Sequence, residues 1–178
     1  LNKELKISII TVTKNSEKYL EENILSLESQ SYKNYEHIII DGNSTDQTKN
    51  IINRHKEKIS YSVSEPDDGL YFAMNKGIEK ATGEIIGILN SDDIFYPDAL
   101  RIVSKYFSKD PKLDFLFGSV YKHKLMHGYN PKKIKWTFGF YTTHSVGFFI
   151  RREAQKKIGY YDTQYKWSAD YDLFYKMI

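Results

Sequence analysis

Short hydrophobic runs alternate with segments of helical periodicity along the first two thirds of the chain. Strands are predicted at residues 6–13, 35–41, 59–64 and 84–90, and helices at 17–30, 47–56 and 70–81. The runs are nearly continuous in Ile, Val and Leu, as in strands that are buried on both faces of a sheet. This alternation predicts an α/β fold with a doubly wound, Rossmann-like, mostly parallel sheet flanked by helices.

The last third of the chain begins with the same alternation of strands and helices and then becomes less regular. Pro97 suits the first turn of a helix over residues 98–107, and the run Asp114–Tyr121 predicts a further buried strand. A basic and aromatic segment, Lys122–Trp136, follows. A strand is then predicted over Ser145–Ile150, and a helix over residues 152–158 that Gly159 closes.

The chain ends in an apolar stripe at helical spacing, formed by Tyr171, Phe174, Tyr175 and Ile178. Such a stripe needs a partner, so we expect the natural chain to continue beyond residue 178. The length of 178 residues, of which 40% are hydrophobic, suits one domain over residues 1–178.

Composition excludes several classes of function. Lys and Arg number 26 against 23 Asp and Glu, and this formal charge of +3 is too small for a nucleic-acid-binding protein. The absence of cysteine excludes disulfides, thiol catalysis and zinc–thiolate sites, and it suits the cytoplasm. No apolar run is long enough to span a bilayer. We therefore expect a cytoplasmic protein, with peripheral contact at the inner face of the membrane left open.

Polar residues follow three of the predicted strands. Ligands of open α/β sheets bind at the carboxyl ends of the strands. Thr13 and Lys14 follow the first strand, Asp41 follows the second, and Asp92 with Asp93 follow the fourth. Three strand ends therefore offer polar groups to one crevice, and two of them offer carboxylates.

The adjacent acids Asp92 and Asp93 point to a cation, because neighbouring like charges repel each other. Paired carboxylates are hard oxygen ligands for Mg²⁺ or Mn²⁺, whose remaining ligands are often substrate phosphates. The alternative is a pair of exposed loop acids that precede a helix N-terminus. Asp41 in turn could belong to a simple turn with Ser44 or Thr45 as a helix N-cap. A calcium loop is excluded there, because Asp46 occupies the position that requires glycine.

Several segments resemble, in order and spacing, the family 2 glycosyltransferases with the GT-A fold. They are "ISIITVTKN", "IIIDGNSTDQT", "SEPDDGLYFAMNKGIEKATGEIIGILNSDD" and "GYYDTQYKWSADYDL". The resemblance covers nearly the whole chain, and "DGLYFAMNKG" with "LNSDD" is similar to the bacterial branch that builds polysaccharides and cell-surface glycans.

The resemblance implies a nucleotide-sugar half over residues 1–120 and an acceptor half over residues 121–178. It also implies the residues that hold the donor, a nucleotide-diphosphate sugar for which UDP is the expected nucleotide. The base is expected at Val12, Thr13, Lys14 and Asp41. This chain departs from the family's usual Pro-Thr-Tyr at the first strand end, where it has Val, Thr and Lys.

The resemblance also implies a metal site and a catalytic residue. Asp92 is expected near the ribose and phosphates, and Asp93 as the direct ligand of Mn²⁺ or Mg²⁺. Asn90 stands where the longer form of the motif has a first acid, so two carboxylates remain. The family's catalytic acid corresponds to Asp170, and Ala169 replaces the Glu that often precedes it.

The chemistry of sugar transfer is consistent with these roles. The acceptor hydroxyl loses its proton as the new bond forms, which requires a base such as the Asp170 carboxylate. A single displacement of this kind inverts the anomeric centre. The alternative for Asp170 is an acid at a helix N-terminus, with Ser168 as the cap.

Other candidates remain open. Asn75 and Lys76 could approach the donor phosphates or form a solvated helix face. His144 could lie near the acceptor or be structural. The Lys122–Trp136 segment could contact an anionic membrane or a polyprenyl diphosphate acceptor, or be a solvated loop.

The sequence thus predicts an inverting, metal-dependent glycosyltransferase that acts on a glycan or a polyprenyl-linked acceptor. A sugar nucleotidyltransferase is one alternative, but such enzymes carry a glycine-rich phosphate loop after the first strand, and "TVTKNSEKYL" has no glycine. A non-catalytic GT-A module that binds glycan or nucleotide is the other alternative.

Overall fold

The computed structural model describes residues 4–126 and 145–177 and contains eight strands and six helices in these ranges. The strands are β1 Ile7–Thr13, β2 Tyr35–Asp41, β3 Tyr61–Ser64, β4 Ile85–Ile88, β5 Phe115–Phe117, β6 Val120–Lys122, β7 Lys124–Met126 and β8 Phe148–Arg151. The helices are α1 Leu20–Glu28, α2 Thr48–Arg54, α3 Leu70–Lys80, α4 Ala99–Lys109, α5 Arg152–Ile158 and α6 Ala169–Lys176. Short 3₁₀ helices span Lys56–Lys58 and Ser145–Gly147.

Six of the strands form one sheet in the order β3-β2-β1-β4-β8-β5. The pairs β3-β2, β2-β1 and β1-β4 are parallel, whereas β8 runs antiparallel to both β4 and β5. The register places Thr13 opposite Asp41 at the last pair of β1 and β2. The predicted doubly wound, mostly parallel α/β sheet is therefore confirmed, and the strand that breaks the parallel order is β8.

The sheet is buried on both faces, as its continuous hydrophobic runs predicted. Along β1, Ile10 and Val12 pack with α3 on one face, while Ile7 and Ile9 pack with α4 on the other. A third cluster joins Ile39 of β2 to α1 and α2. Alternate residues of a strand point to opposite faces, so two helical layers cover a central sheet.

Helix α3 lies unusually close to the sheet. A side chain at Gly77 would overlap the Cγ2 atom of Ile10 in the middle of β1. Gly69, with φ of 142°, precedes the helix and turns the chain into it without the strain that a side chain would add. The two glycines therefore set the height and the start of the helix that forms one wall of the cleft described below.

The buried carboxylate of Glu36 links β2 to β1 and to the segment before β4 at the amino ends of these parallel strands. Glu36 of β2 is 7% exposed and accepts hydrogen bonds from the hydroxyl of Ser8 (2.5 Å) and the backbone nitrogen of Thr82 (2.7 Å). Lys6 forms an ion pair with it at 2.6 Å. Burial acts to raise the pKa of Glu36, but these hydrogen bonds outweigh it and lower the pKa from 4.5 to about 2.

One strand prediction for the last third was wrong. The run Asp114–Tyr121 is not one buried strand, because the chain leaves the sheet at Gly118 and continues as β6, which pairs with β7. β5 is only half-buried because it lies at the edge of the sheet. In α6, Phe174 of the apolar stripe is buried together with Ala169 and Leu173, whereas Tyr171 and Tyr175 are exposed, and the expected partner of the stripe stays a prediction.

Within residues 4–126 and 145–177, every helix is too short and too polar to cross a bilayer.

We expect the Glu36 carboxylate to make the protein sensitive to acid. Its pKa is lower in the folded chain than in the unfolded chain, so its contribution is complete above pH 4.5 and is lost as the pH falls towards 2. The loss amounts to at most about 3 kcal/mol. Urea unfolding between pH 6 and pH 2.5 measures it. The Glu36→Gln variant should be less stable at pH 6 and should lose less stability on acidification, and parallel loss in both proteins would contradict this assignment.

Candidate active site

A cleft of about 550 Å³ opens at the carboxyl ends of the parallel strands. Its residues come from the strand ends of β1 to β4, from the first turns of α3, and from the segments before β8 and α6. Five of the predicted site residues line it: Val12, Thr13 and Lys14 at the end of β1, Asp92 after the neighbouring strand β4, and Asp170 in α6. Further lining residues are Ser16, Gly42, Asp67, Gly69, Leu70, Tyr71, Ala73, Met74, Asn90, Ser91, Ser145 and Tyr161.

The loops that form the floor of the cleft are linked to one another by hydrogen bonds. The hydroxyls of Ser16 and Ser91 lie 2.8 Å apart and join the loop after β1 to the loop after β4. Asn15 donates its backbone N–H to the hydroxyl of Ser44 at 2.7 Å, which joins the loops after β1 and β2. Asn15 and Asn43 adopt φ values of 51° and 58°, a left-handed conformation that asparagine tolerates better than most residues. The floor is thus held in one shape by side chains.

The two adjacent acids lie in a tight turn that follows β4. The backbone nitrogen of Asp93 donates to the carbonyl of Asn90 at 3.0 Å, which closes a β-turn over residues 90–93. Asp92 is exposed and lines the cleft, whereas Asp93 is half-buried and accepts a hydrogen bond from the Asn90 amide at 3.2 Å. The turn therefore contributes Asp92 and Asn90 to the lining of the cleft, whereas Asp93 is not among the lining residues and contacts the Asn90 side chain.

Three oxygens at the cleft are buried without a hydrogen-bond partner: Thr13 Oγ1, Asp67 Oδ2 and Asn90 Oδ1. A buried polar atom without a partner costs about 1–3 kcal/mol, so such atoms are rare and require an explanation. A bound polar ligand or cation would satisfy them.

The donor set of the turn fits a small hard cation. Among residues 4–126 and 145–177, no cluster of three or more acidic, histidine or cysteine side chains could hold a metal. The set consists of the carboxylates of Asp92 and Asp93, with the unpartnered Asn90 Oδ1 beside them. All are oxygens, and Mg²⁺ and Mn²⁺ commonly use one or two carboxylates while water and phosphate complete the shell.

Asp170 lies at the start of α6 and is held there by Tyr71 of α3. The Tyr71 hydroxyl donates to Asp170 Oδ1 at 3.2 Å, and the Tyr71 ring stacks on Tyr161 with centroids 5.4 Å apart. Burial, and then the charge of Asp170, raise the pKa of Tyr71 above its usual value of 10.0, so its hydroxyl is a donor at neutral pH by a wide margin. Ser168 precedes the helix in a left-handed conformation, φ 71°, and its side chain makes no capping hydrogen bond. Tyr71 and Tyr161 lie in segments that resemble the family, but neither was assigned a role from the sequence, because each looks like an ordinary core aromatic.

Asp41 lies beneath the cleft. It is fully buried, and its carboxylate accepts hydrogen bonds from the backbone and hydroxyl of Ser44 and from the hydroxyl of Ser64 (2.5 Å). Gly42, the next residue, lines the cleft in its place. The predicted contact between Asp41 and a nucleotide base would require at least one of these hydroxyls to move, and it stays a prediction.

Asn75 and Lys76 also lie behind the lining residues. Both ends of the Asn75 amide bind the backbone of Tyr161, with Nδ2 donating to its carbonyl at 2.9 Å and Oδ1 accepting from its N–H at 3.0 Å. Lys76 pairs with Asp67 and with Glu65 (2.7 Å). In this arrangement Asn75 fixes the position of Tyr161, and Lys76 reaches the cleft only through Asp67. Their predicted contacts with donor phosphates stay predictions.

His144 and all but the first five residues of the Lys122–Trp136 segment lie outside the described residues.

The fold and the cleft define a class of protein. A sheet of four parallel strands extended by the antiparallel β8, with paired carboxylates after β4, is the GT-A glycosyltransferase fold. S. aureus TarS has a similar structure, with a TM-score of 0.78 and 25% sequence identity over 97% of this chain and 33% of TarS. A mannosyltransferase from Pyrobaculum calidifontis, solved with GDP-Man and Mn²⁺, shares the fold at 22% identity and a TM-score of 0.69, over 88% of this chain and 47% of that one.

The family model for glycosyl transferase family 2 matches residues 8–173, and the chain belongs to this family. An uncharacterised glycosyltransferase of Rickettsia typhi is 32% identical over 97% of this chain and 58% of its own length. A Bacillus subtilis protein that carries the name of a teichuronic acid biosynthesis glycosyltransferase, TuaG, is 35% identical over 53% of this chain and 39% of its own. The chain thus spans little more than half the length of the Rickettsia relative.

Replacement of Asn75 separates its structural role from a role in donor binding. In Asn75→Ala the backbone N–H and carbonyl of Tyr161 lose their partners, so the free energy of unfolding should fall by about 2–4 kcal/mol. Lys76→Ala leaves the backbone of Tyr161 bound but leaves the nearly buried Asp67 carboxylate unpaired, so it should also lower the free energy of unfolding, by about 1–3 kcal/mol. Urea unfolding and UDP titration well below the melting temperature measure both effects. An Asn75→Ala protein of wild-type stability with weakened UDP binding would make Asn75 a donor ligand.

Proposed function

We propose that this domain transfers a sugar from a nucleotide-diphosphate sugar to a hydroxyl group of a glycan or lipid-linked acceptor, with a divalent cation and with inversion of the anomeric centre. The observation that carries the proposal is one cleft lined both by Asp92, from the pair of carboxylates after β4, and by Asp170, which Tyr71 holds. The carboxylates after β4 suit a diphosphate with its cation, and the Asp170 carboxylate suits the activation of an attacking hydroxyl. A cleft for nucleotide binding alone would need no second carboxylate.

The donor is expected on the β1 side of the cleft. Val12, Thr13 and Lys14 form the wall nearest the β1 end, and the unpartnered Thr13 hydroxyl and Asp67 carboxylate oxygen are free to bind a polar ligand there. TarS was solved with UDP-GlcNAc and with UDP, and its structure over residues 1–349 matches this chain with TM-scores of 0.75 and 0.76. These neighbours support a nucleotide sugar as the donor, with UDP as the first nucleotide to test.

The turn after β4 is where the diphosphate would lie. Asp93 and Asp92 would hold Mn²⁺ or Mg²⁺, and a cation there neutralises the charge that develops on the departing diphosphate. The short links between the strand-end loops keep both carboxylates in place before the donor arrives, so little reorganisation accompanies binding.

Asp170 is the proposed base. The acceptor oxygen attacks the anomeric carbon, the bond from that carbon to the diphosphate oxygen breaks, and the acceptor proton passes to the Asp170 carboxylate. This single displacement balances without a covalent enzyme intermediate and inverts the centre. The Tyr71 hydroxyl occupies Oδ1 of Asp170, which leaves Oδ2 for the incoming hydroxyl.

The acceptor is proposed from the relatives. The B. subtilis relative carries the name of a teichuronic acid biosynthesis enzyme, and this supports a cell-envelope glycan or its polyprenyl-linked precursor. Such precursors are anchored at the inner face of the membrane, where the basic and aromatic Lys122–Trp136 segment would favour peripheral contact. A cytoplasmic location with access to that face follows from the proposal.

Removal of the Asp93 carboxylate tests the metal site. In the wild-type protein, UDP should bind more tightly when Mn²⁺ is present, and Asp93→Ala should abolish this enhancement while the melting temperature changes little. Calorimetric titration of UDP with and without Mn²⁺ measures both affinities. Equal UDP affinity of the wild-type protein in the two conditions would exclude the proposed metal site.

Replacement of Asp170 by asparagine tests the base. The amide keeps the size and polarity of the side chain but cannot accept a proton, so turnover should fall by about 10²–10⁴. Binding of UDP and Mn²⁺ should barely change, because the carboxylate acts only during the attack. Release of UDP from a panel of UDP-sugars in the presence of acceptor is the measurement.

Asp172 provides the matched control, because it lies on the same helix and pairs with Lys176 at 2.6 Å. Asp172→Asn should retain most of the activity. Near-normal turnover in Asp170→Asn, or loss of turnover in Asp172→Asn alone, would show that the base is a different residue.

A further inference from the structure

One buried amide holds the turn that carries Asp92 and Asp93. Asn23, on the inner face of α1, is fully buried, and its Nδ2 donates to the backbone carbonyls of Asn90 (2.8 Å) and Asp93 (2.9 Å). A side-chain amide nitrogen has two hydrogens, so both are used. The two bonds clamp the first and last residues of the turn to a helix that carries no residue of the cleft lining.

The orientation of this amide is fixed from the other side. The Thr11 hydroxyl of β1 donates to Asn23 Oδ1 at 3.3 Å and lies 2.9 Å from Nε2 of His37 on β2. A hydroxyl has one hydrogen, so Nε2 of His37 must be the donor in the second bond. Burial lowers the pKa of His37 to about 3, which keeps the imidazole neutral in this role at physiological pH. A buried chain of three side chains therefore leads from β2 through β1 to the turn.

A second buried amide, that of Gln30 just after α1, binds the backbone of the segment that follows the turn. Gln30 is fully buried, its Nε2 donates to the carbonyl of Tyr96 at 2.9 Å, and its Oε1 accepts from the backbone of Leu100 at 3.1 Å. Both amides thus connect the α1 region to the segment after β4. Of these two amides, only Asn23 binds the turn that contains Asp92 and Asp93.

We propose that Asn23 is a positioning residue that sets the affinity of the Asp92–Asp93 turn for its divalent cation. The proposal rests on the metal site of the proposed function. Asn23 itself touches neither the cation nor the donor, and it acts by fixing the backbone on which the ligands stand. Hydrogen-bond partners of metal ligands typically contribute 10-fold to 100-fold to metal affinity, and a clamp on both ends of a four-residue turn has the same effect on its carboxylates.

The test compares Asn23→Ala with Gln30→Ala. Each change leaves buried backbone groups without partners, so both variants should lose stability to a similar extent. We expect Asn23→Ala to bind Mn²⁺ at least about 10-fold more weakly and Gln30→Ala to bind it within about twofold of wild type. Titration of Mn²⁺ followed by electron paramagnetic resonance, at saturating UDP and well below the melting temperatures, reads metal affinity without turnover. Affinity for UDP without metal should be equal in all three proteins.

The conservative variant Thr11→Val keeps volume and strand propensity but removes the donor to Asn23 Oδ1. It should weaken Mn²⁺ binding in the same direction, by a smaller factor, and it decides the matter if Asn23→Ala does not fold. Wild-type Mn²⁺ affinity in the folded Asn23 and Thr11 variants, or an equal loss in Gln30→Ala, would overturn the positioning role. Failure of the wild-type protein to bind Mn²⁺ would instead overturn the proposed metal site itself.

Discussion

Hydrogen bonds from buried polar side chains to the backbone of the strand-end loops hold the cleft in shape. Where the parallel strands stop, the backbone N–H and carbonyl groups lose their partners in the sheet and must be satisfied in another way. In this protein fully buried side chains do so, with Asp41 binding the backbone of Ser44 and Asn23 binding that of the turn after β4. A loop without such partners would fluctuate, and its side chains would have to be ordered again each time a ligand bound.

This division of tasks explains why the cleft retains unsatisfied oxygens. Asp41 and Asn23 below the loops are hydrogen-bonded within the protein, whereas Thr13 Oγ1, Asp67 Oδ2 and Asn90 Oδ1, on residues that line the cleft, are buried without a partner. The internal hydrogen bonds thus hold the strand-end loops in place, and the three unpartnered oxygens remain available to a ligand. Electrostatic preorganisation of this kind is most effective for stabilising charge that develops during a reaction, because the dipoles are already oriented.

The order of strands and helices up to residue 109 could be predicted from the sequence, because hydrophobic periodicity is a local signal. The position of the cleft at the carboxyl ends of the strands could be predicted as well, because the strand ends are visible in the same pattern. The prediction failed at Asp114–Tyr121, where the chain leaves the sheet after Phe117 and Val120–Lys122 pair with Lys124–Met126, an outcome that depends on which strand lies alongside. Asp92 and Asp170 line the cleft, whereas Asn75 lies behind the lining residues and binds Tyr161, which is 86 residues away along the chain. Asn23 did leave a trace, an amide among the apolar residues of the buried face of α1.

The two sides of the cleft are held by separate networks. Asn23 and Thr11 fix the turn with the paired carboxylates from the α1 side, while Asn75, Tyr161 and Tyr71 fix Asp170 from the α3 side. These hydrogen bonds have no residue in common between the two networks, so a change in one need not disturb the other, and free-energy effects at such independent sites generally add. Residues on the two sides of the cleft could therefore vary separately on one sheet. For a fold whose members differ in donor and acceptor, that independence lets one site change without loss of the other.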